Sequence, residues 1–392
     1  MTDADAFLDV IRQGPDDDGP RLLFADWLDE RDDPRGEFVR VQCALARLPT
    51  DDSLRPDLVR REEELLTAHG AAWVRPLNGL AGGPRFRRGF IEELTVEARV
   101  FVERAGDLFR HAPLRHIRLL DVGGHLARLA DSPHLERLAG LTVYANHVGD
   151  ALGIALAGSR RLGRLTRLEL GRNRLGDSGA AALARSPNLP QLAHLDLSDN
   201  EVSEAGALAL AASPHLARIT GLDLGRNLVT PVGLEALVGS SRLAGLARLE
   251  LPYNRLGPDG LRGVAGLPGL ARLRTLNLAE AGLAASDVGE LTASPHLVAL
   301  QHLDLSGNDL GDLGARNLAD SPNVAGLRTL LLNGCGIGDP GARALAQSPN
   351  LRHLNVLELA GNPFGVSGAT ALRGAGGGRR FTRLILARHL AG

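Results

Sequence analysis

From Leu138 onward one pattern returns every 27 residues: the form LxxLxLxxN starts at 138, 165, 192, 219, 246, 273, 300, 327, 354 and 381. A strict period of this length points away from a single folded-up core. It requires one small unit stacked on copies of itself, each burying its apolar side against its neighbours. One copy runs LTRLELGRNRLGDSGAAALARSPNLPQ from Leu165 to Gln191, and the next opens LAHLDLSDNEVSEAGALALAASPHL at Leu192. Composition agrees with thin, repeated layers. Of 392 residues 44% are apolar but only 3% aromatic, and 48 are Gly, so Leu, Ala and Val must fill the interior.

Within a copy, the LxL segment alternates at period 2 and reads as a short strand. The second half, GDSGAAALARSP for example, has apolar residues at helical spacing. Pro231 after Thr230 and Pro258 after Gly257 suit a first helical position, and Ser186-Pro187, Ser213-Pro214 and Ser321-Pro322 close the helices. Successive strands then form a parallel sheet. A helix is about 10 Å wide and paired strands lie about 4.8 Å apart, so stacking them copy for copy bends the array with its strands on the concave side. The column Asn146, Asn173, Asn200, Asn227, Asn254, Asn308 and Asn362 falls where each strand ends. There an amide can bond main-chain groups that no regular ladder serves. Cys335 takes the place of Asn in this column, and Ala281 and His389 break it, which predicts local weakness around Ala281.

These copies resemble leucine-rich repeats of the ribonuclease-inhibitor-like type, which also place Cys in the Asn column. Shorter, degenerate copies begin near Ile91 (IEELTV) and Leu114 (LRHIRL). The resemblance implies an α/β leucine-rich-repeat solenoid, a horseshoe with a parallel concave sheet and convex helices. The first 80 residues do not follow the period and read as a small all-α domain. Thr2 with Asp5 forms a capping-box pattern ahead of Phe7, Val10 and Ile11 on one face, and further helices run through RLLFADWLDE and RGEFVRVQCALARL. The segment PRLLFADWLDERDDPRGEFVRVQCALARL resembles the repeat-companion domain, a short bacterial module found beside leucine-rich or WD-type repeats. Asp26, Trp27, Arg35, Glu37 and Gln42 match its characteristic stretch, and helix packing with exposed ion pairs accounts for them more simply than a ligand site. The expected organisation is therefore 1–80 helical companion domain, 81–137 degenerate leading repeats, and 138–392 repeats of period 27.

Several functions are disfavoured by the same residues. A net charge of −2 gives no general attraction to nucleic acid, although residues 1–80 carry 18 acids against 10 Arg and the remainder 28 against 34, or −8 and +6. Every basic residue is Arg. The lone Cys43 and Cys335 form neither a disulfide framework nor a metal site, and Cys43 belongs to an apolar helical stretch, VQCALARL. MTDADAFLDV lacks the basic start and apolar stretch of a signal peptide, and no run reaches membrane-spanning length, so a cytoplasmic location away from membranes is expected. Repetition explains many of the twelve His: His134, His215 and His296 share one loop position, and His116, His194 and His302 one strand position, never on neighbouring strands. The glycine run from Gly374 to Gly378 lacks the flanking strand and helix of a nucleotide site, and no P-loop or GxSxG elbow occurs. No cofactor, metal or catalytic residue is expected.

What remains is a surface. Side chains alternate along a strand, so the third, fifth and seventh residues of LxxLxLxxN face outward from the sheet and the eighth forms its rim. The fifth position reads Glu169, Asp196, Asp223, Glu250, Asn277, Asp304, Leu331 and Glu358, an acidic column. The third reads Arg167, His194, Gly221, Arg248, Thr275, His302, Thr329 and Val356, and the eighth supplies Arg172, Asp199, Arg226, Tyr253 and Glu280. Like charges about 5 Å apart repel by roughly 1 to 3 kcal/mol. The fold gains nothing from that, unless Arg167, Arg172, Arg226 and Arg248 neutralise the column. The face covers roughly 800 Å², one partner's share of a standard interface. The candidate partner-binding set is therefore Arg167, Glu169, Arg172, His194, Asp196, Asp199, Asp223, Arg226, Arg248, Glu250, Tyr253 and Asp304, with Tyr253 beside Pro252 as the anchor. The expected function is a non-enzymatic scaffold that grips a protein with exposed basic groups. The alternative is a regulator of a partner enzyme such as a GTPase activator, by analogy with nuclear-transport GTPase activators of this repeat type. The chain stops at RRFTRLILARHLAG without a following helix, an edge open to self-association.

Overall fold

The structure is a computed structural model that describes residues 3–374 and 382–386. Thr2 of the expected capping box, the glycine run beyond Gly374, His389 and, apart from 382–386, the C-terminal edge expected to self-associate lie outside the described residues. The chain forms two compact units, Met1–Asn146 and His147–Gly392.

The first unit opens with four helices, α1 (Asp3–Gln13), α2 (Gly19–Asp29), α3 (Arg35–Arg47) and α4 (Arg55–Val74). An antiparallel hairpin of β1 (Gly82–Arg87) and β2 (Phe90–Glu97) follows. From β2 the chain changes to parallel pairing with β3 (His116–Leu120) and β4 (Gly140–Val143), with α5 (Ala98–His111) and the short α6 (Leu126–Ala130) between. Ile11, Phe24, Ala25, Leu28, Val39, Cys43 and Phe90 make one core cluster. Val10, expected on the buried face of α1, is 50% exposed, and Leu8 packs there with Phe7 and Ile11 instead. Arg21 is fully buried and survives because Glu92 accepts its Nη2 at 2.5 Å and the carbonyls of Pro15 and Arg88 take more of its protons.

All five residues singled out in the companion-like segment are engaged inside this unit. Asp26 accepts from Arg40 at 2.6 Å, Trp27 stacks on Phe24 under the Arg31 guanidinium, and Arg35 donates to the Gly89 carbonyl. Glu37 takes Arg61 in two bonds of 2.7 Å, and that guanidinium holds its carboxyl below the usual range. Gln42 bridges Glu62 and the Gly89 N–H.

The second unit is the array. Nine short strands, β5 (Arg167–Glu169), β6 (His194–Asp196), β7 (Gly221–Asp223), β8 (Arg248–Glu250), β9 (Thr275–Asn277), β10 (His302–Asp304), β11 (Thr329–Leu331), β12 (Val356–Glu358) and β13 (Arg383–Ile385), pair parallel in chain order. Each pairing from β5 to β13 joins residues 27 apart, so the sequence period is the sheet register. The helices α7 (Asp150–Gly158), α8 (Asp177–Arg185), α9 (Glu204–Ala211), α10 (Pro231–Gly239), α11 (Ala285–Ala293), α12 (Gly311–Asp320), α13 (Asp339–Gln347) and α14 (Val366–Arg373) cover the other side. Leucines at the first, fourth and sixth positions, such as Leu165, Leu168 and Leu170, are fully buried.

The Asn column performs the expected bonding across copies. Asn200 accepts the N–H groups of Asn173 and Leu175, both at 2.9 Å, and donates to the carbonyls of Leu170, Leu197 and Ser198. Cys335 is buried in the column and directs its thiol to the Leu305 carbonyl at 3.3 Å. Burial pushes that thiol up to about 11.

One expectation fails. Pro231 does begin a helix, but the stretch after Pro258 forms successive turns. Where the following copy has Asn, its side chain accepts N–H groups of the copy before it. Ala281 cannot, and the Gly257 N–H turns to the Ala281 main-chain carbonyl with Gly257 at φ +66°. Cys335 causes the same shift in its own neighbour, where Gly311 (φ +54°) bonds the Cys335 carbonyl and α12 nevertheless forms. The difference lies in GPDGLRGVAGLPG, which carries five glycines from Gly257 to Gly269, so ordering it as a helix costs more backbone entropy than in the other copies. The departure from the helical pattern beside Ala281 thus lies in the copy before it.

Candidate functional site

The strand side of β5–β8 carries the densest set of candidate groups. Register places Glu169, Asp196, Asp223 and Glu250 side by side, followed by Asn277 and Asp304. The row beside it reads Arg167, His194, Gly221, Arg248, Thr275 and His302. A shallow groove of about 610 Å³ runs over these strands, bordered by Arg167, Glu169, His194, Asp196, Asp223, Arg248 and Glu250. Gly221 makes room for His194: a Cβ there would sit 2.7 Å from His194 Nδ1, so the missing side chain lets the imidazole lie across the strand.

The carboxylates have a role in the fold that periodicity did not suggest. Asp196 accepts the Ser198 N–H at 2.8 Å, Asp223 that of Gly225 at 2.8 Å, and Asp304 that of Ser306 at 2.9 Å. The neutral Asn277 does the same for Ala279 at 3.0 Å. The need arises because the Asn column has taken the carbonyls, such as that of Leu170, to which these N–H groups would otherwise turn. The bond requires an oxygen acceptor and no charge.

Charge is destabilising at two members of this row, Asp223 and Glu250. Burial, with repulsion from Asp196 and Glu250, pushes Asp223 up to about 6, against the opposing pull of the Gly225 N–H and Arg248. Burial likewise raises Glu250, with Asp304 adding to it, while Asn277 and Arg248 oppose. His194 and His302 are shifted down by burial and then by nearby Arg, so both are neutral at pH 7. The arginines neutralise the face only in part. Arg167 pairs with Glu169 at 3.3 Å and Arg172 with Asp199 at 3.0 Å, both at exposed sites where such pairs contribute little. Arg226 is turned to the rim, its guanidinium 3.8 Å above the Tyr253 ring.

The rim row has an unusual backbone. Arg172, Asp199, Arg226, Tyr253 and Glu280 all have φ between +52° and +57°, and the same position in later copies holds Gly307, Gly334 and Gly361. Their N–H groups bond the next copy, Arg226 to Pro252 and Tyr253 to Ala279 for example, and this fixes the turn. A left-handed conformation costs a side-chain-bearing residue about 1 kcal/mol that glycine avoids.

Five separate stretches, residues 165–184, 190–211, 297–319, 327–346 and 350–372, match the family described as Leucine Rich repeat. Those five stretches are similar to leucine-rich repeats. Among solved structures, an internalin of Listeria monocytogenes is similar over 76% of this chain and 86% of its own, at 16% identity and a TM-score of 0.42. No curated protein matches the chain in sequence.

Of the twelve candidate residues, seven border the groove, and Arg172, Asp199, Arg226 and Tyr253 form the rim. Asp304 lies beyond Asn277 in the same row, outside the groove lining. Thr220, Ala247, Arg274 and Thr275 also line the groove. Of these, the second-position residues Thr220, Ala247 and Arg274 would have come to light had each strand been extended one residue toward its start. Tyr253 is 45% exposed, but Arg226 already covers one face of its ring. Among the described residues no three His, Cys, Asp or Glu gather as metal ligands, and no helix is long and apolar enough to cross a membrane.

Proposed function

We propose that this chain is a cytoplasmic, non-enzymatic scaffold that captures a protein partner on the strand side of β5–β10, through basic groups the partner exposes. The observation that carries this reading is the row Glu169, Asp196, Asp223 and Glu250, four adjacent carboxylates half-buried along a groove whose arginines offset their charge only in part. A guanidinium or ammonium entering the row replaces lost hydration and relieves mutual repulsion together. Spacing narrows the partner further. Strands advance about 4.8 Å and one helical turn about 5.4 Å, so a helix lying along the groove would bring Lys or Arg at i, i+3 or i+4, and i+7 close to successive acids. The ribonuclease-inhibitor-like subtype, and a companion domain in residues 1–80 ahead of leading repeats 81–137, belong to the same proposal.

The test is capture from native extract by wild type and by a quadruple variant, Glu169→Gln, Asp196→Asn, Asp223→Asn and Glu250→Gln. Asn keeps the acceptor for the turn N–H groups, so folding is preserved and only charge is removed. Loss of the captured protein, with wild-type capture weakening as salt rises, supports the reading. Equal capture by both proteins removes this face from consideration.

A further inference from the structure

The copy Leu246–Arg272 differs from the rest of the array on the helix side. Through much of the array three kinds of side-chain bond tie one copy to the next, two of them on the helix side. An acid in the first helical turn reaches forward: Asp150 accepts the N–H groups of Gly176 and Gly179, Asp177 those of Ser203 and Gly206, Asp312 those of Gly338 and Gly341, and Asp339 those of Gly365 and Gly368. A serine reaches back to the last turn of the preceding helix, Ser186 to the Ala157 carbonyl and Ser321 to that of Thr292, both at 2.6 Å. An Asn amide two residues later joins it, Asn188 and Asn323 each at 3.0 Å. The Asn column supplies the third tie.

All three fail at this one copy. Pro231 occupies the acid position of α10, Leu267 replaces the serine, and Ala281 interrupts the column. No helix forms after Pro258, and α10 meets the turn of Pro268–Arg272 where it would otherwise meet a helix. On the strand side nothing is lost: β8 pairs with β7 and β9 over all three residues.

Toward α10 one side chain replaces the missing ties. Arg272 Nη2 donates to the carbonyls of Val238 at 2.8 Å and Ser240 at 3.1 Å, and Val238 is the residue a serine at position 267 would have served. Gly269 permits this approach, since a Cβ there would collide with the Val238 oxygen. The guanidinium is incompletely satisfied, its Nε being buried without a partner. Toward α11 the substitute is Asp287, which accepts the Leu261 N–H at 3.1 Å. The side-chain tie from this copy to α10 is thus one half-buried arginine whose buried Nε is unpaired.

We propose that Leu246–Arg272 is a flex joint in the array, at which the helix side opens while the strand ladder holds, with Arg272 as its latch. The groove crosses the joint, since Asp223 lies on one side of it and Arg274 and Thr275 on the other. Opening therefore changes the spacing of groups in the groove, a consequence that rests on the binding reading, whereas the joint itself does not.

Hydrogen exchange on the full chain without any partner tests it, comparing wild type with Arg272→Ala, Arg272→Lys and Gly266→Ala. Gly266 has open space where a Cβ would go, so alanine there stiffens the turns without a clash. In wild type, amides of 257–267 are expected to exchange at least about tenfold faster than those of α9 and α12. Arg272→Ala and Arg272→Lys should speed exchange there and at the end of α10, leaving Leu249 and Leu276 unchanged, and Gly266→Ala should slow it. Protection of 257–267 equal to that of neighbouring copies overturns the joint. A uniform rise over the array in Arg272→Lys overturns the latch. Should Arg272→Ala fail to fold, the wild-type gradient and the Lys and Gly266 variants decide both points.

Discussion

Replacing Asp223 by Asn should stabilise the protein at neutral pH, against the usual outcome of removing a polar contact. The wild-type carboxyl titrates at about 6 in the fold against an ordinary 3.8, because burial and the flanking Asp196 and Glu250 oppose its charge. A gap of about 2 units corresponds to at most about 3 kcal/mol. The folded state holds this proton more tightly than the unfolded one, so the penalty is fully present above pH 6. It declines as pH falls from 6 to 4 and is gone below the unfolded value. The amide introduced by Asp223→Asn would keep the bond to the Gly225 N–H, as Asn277 does with Ala279. Urea unfolding followed by circular dichroism at pH 7.5 and pH 4 measures both ends of this range. The variant should exceed wild type by about 1 to 3 kcal/mol at pH 7.5, and the two should converge at pH 4. A variant less stable than wild type at pH 7.5, or a difference independent of pH, would refute the reasoning.

Other outcomes follow from the same geometry. Asn200→Ala removes the acceptor of two N–H groups and the donor to three carbonyls, and should cost about 1 to 3 kcal/mol in denaturant titration. Cys335→Ala should cost under about 1 kcal/mol, because a thiol is a weak donor, and native Cys335 should resist alkylation until the protein unfolds. Glycine at Tyr253 or Glu280 should leave the melting temperature unchanged or raise stability by up to about 1 kcal/mol, relieving a left-handed side-chain-bearing residue. A drop in melting temperature for both would show that these side chains serve the fold.

The fold is legible in the sequence because repetition multiplies a weak signal. One LxxLxLxxN is ambiguous, whereas ten at constant spacing set strand, register and buried face together. The Asn column is readable for the same reason. The helix-side acids Asp150, Asp177, Glu204, Asp312 and Asp339 repeat at 27 or multiples of it and carry the same kind of signal, tying helices as the Asn column ties strands, but the leucine pattern draws no attention to them. Pro258 misleads because proline permits a first helical position without supplying a helix, and the five glycines from Gly257 to Gly269 outweigh it. The left-handed rim has a visible marker in Gly307, Gly334 and Gly361 of the same column. Periodicity places Cβ atoms and leaves rotamers open, so the turning of Arg226 onto Tyr253 cannot be read from spacing.

The array contains its own controls for what the fold requires. At the fifth position an uncharged acceptor suffices, as Asn277 shows, yet β5 to β8 carry Glu169, Asp196, Asp223 and Glu250. Glu250 is raised by burial, a cost that the neutral Asn277 beside it avoids. At the eighth position glycine is the unstrained choice, as in the copies of β10 to β12, yet the copies of β5 to β9 carry Arg172, Asp199, Arg226, Tyr253 and Glu280. Two rows with different physical costs, one of desolvated charge and one of backbone strain, thus depart from the less costly residue together on β5 to β8. Beyond them the rows part, since β9 has Asn277 beside Glu280, whereas Asp304 on β10 and Glu358 on β12 stand beside Gly307 and Gly361. The coincidence concentrates the case for a partner on β5 to β8, and β11, with Leu331 and Gly334 in the two rows, is where substitution should matter least to capture.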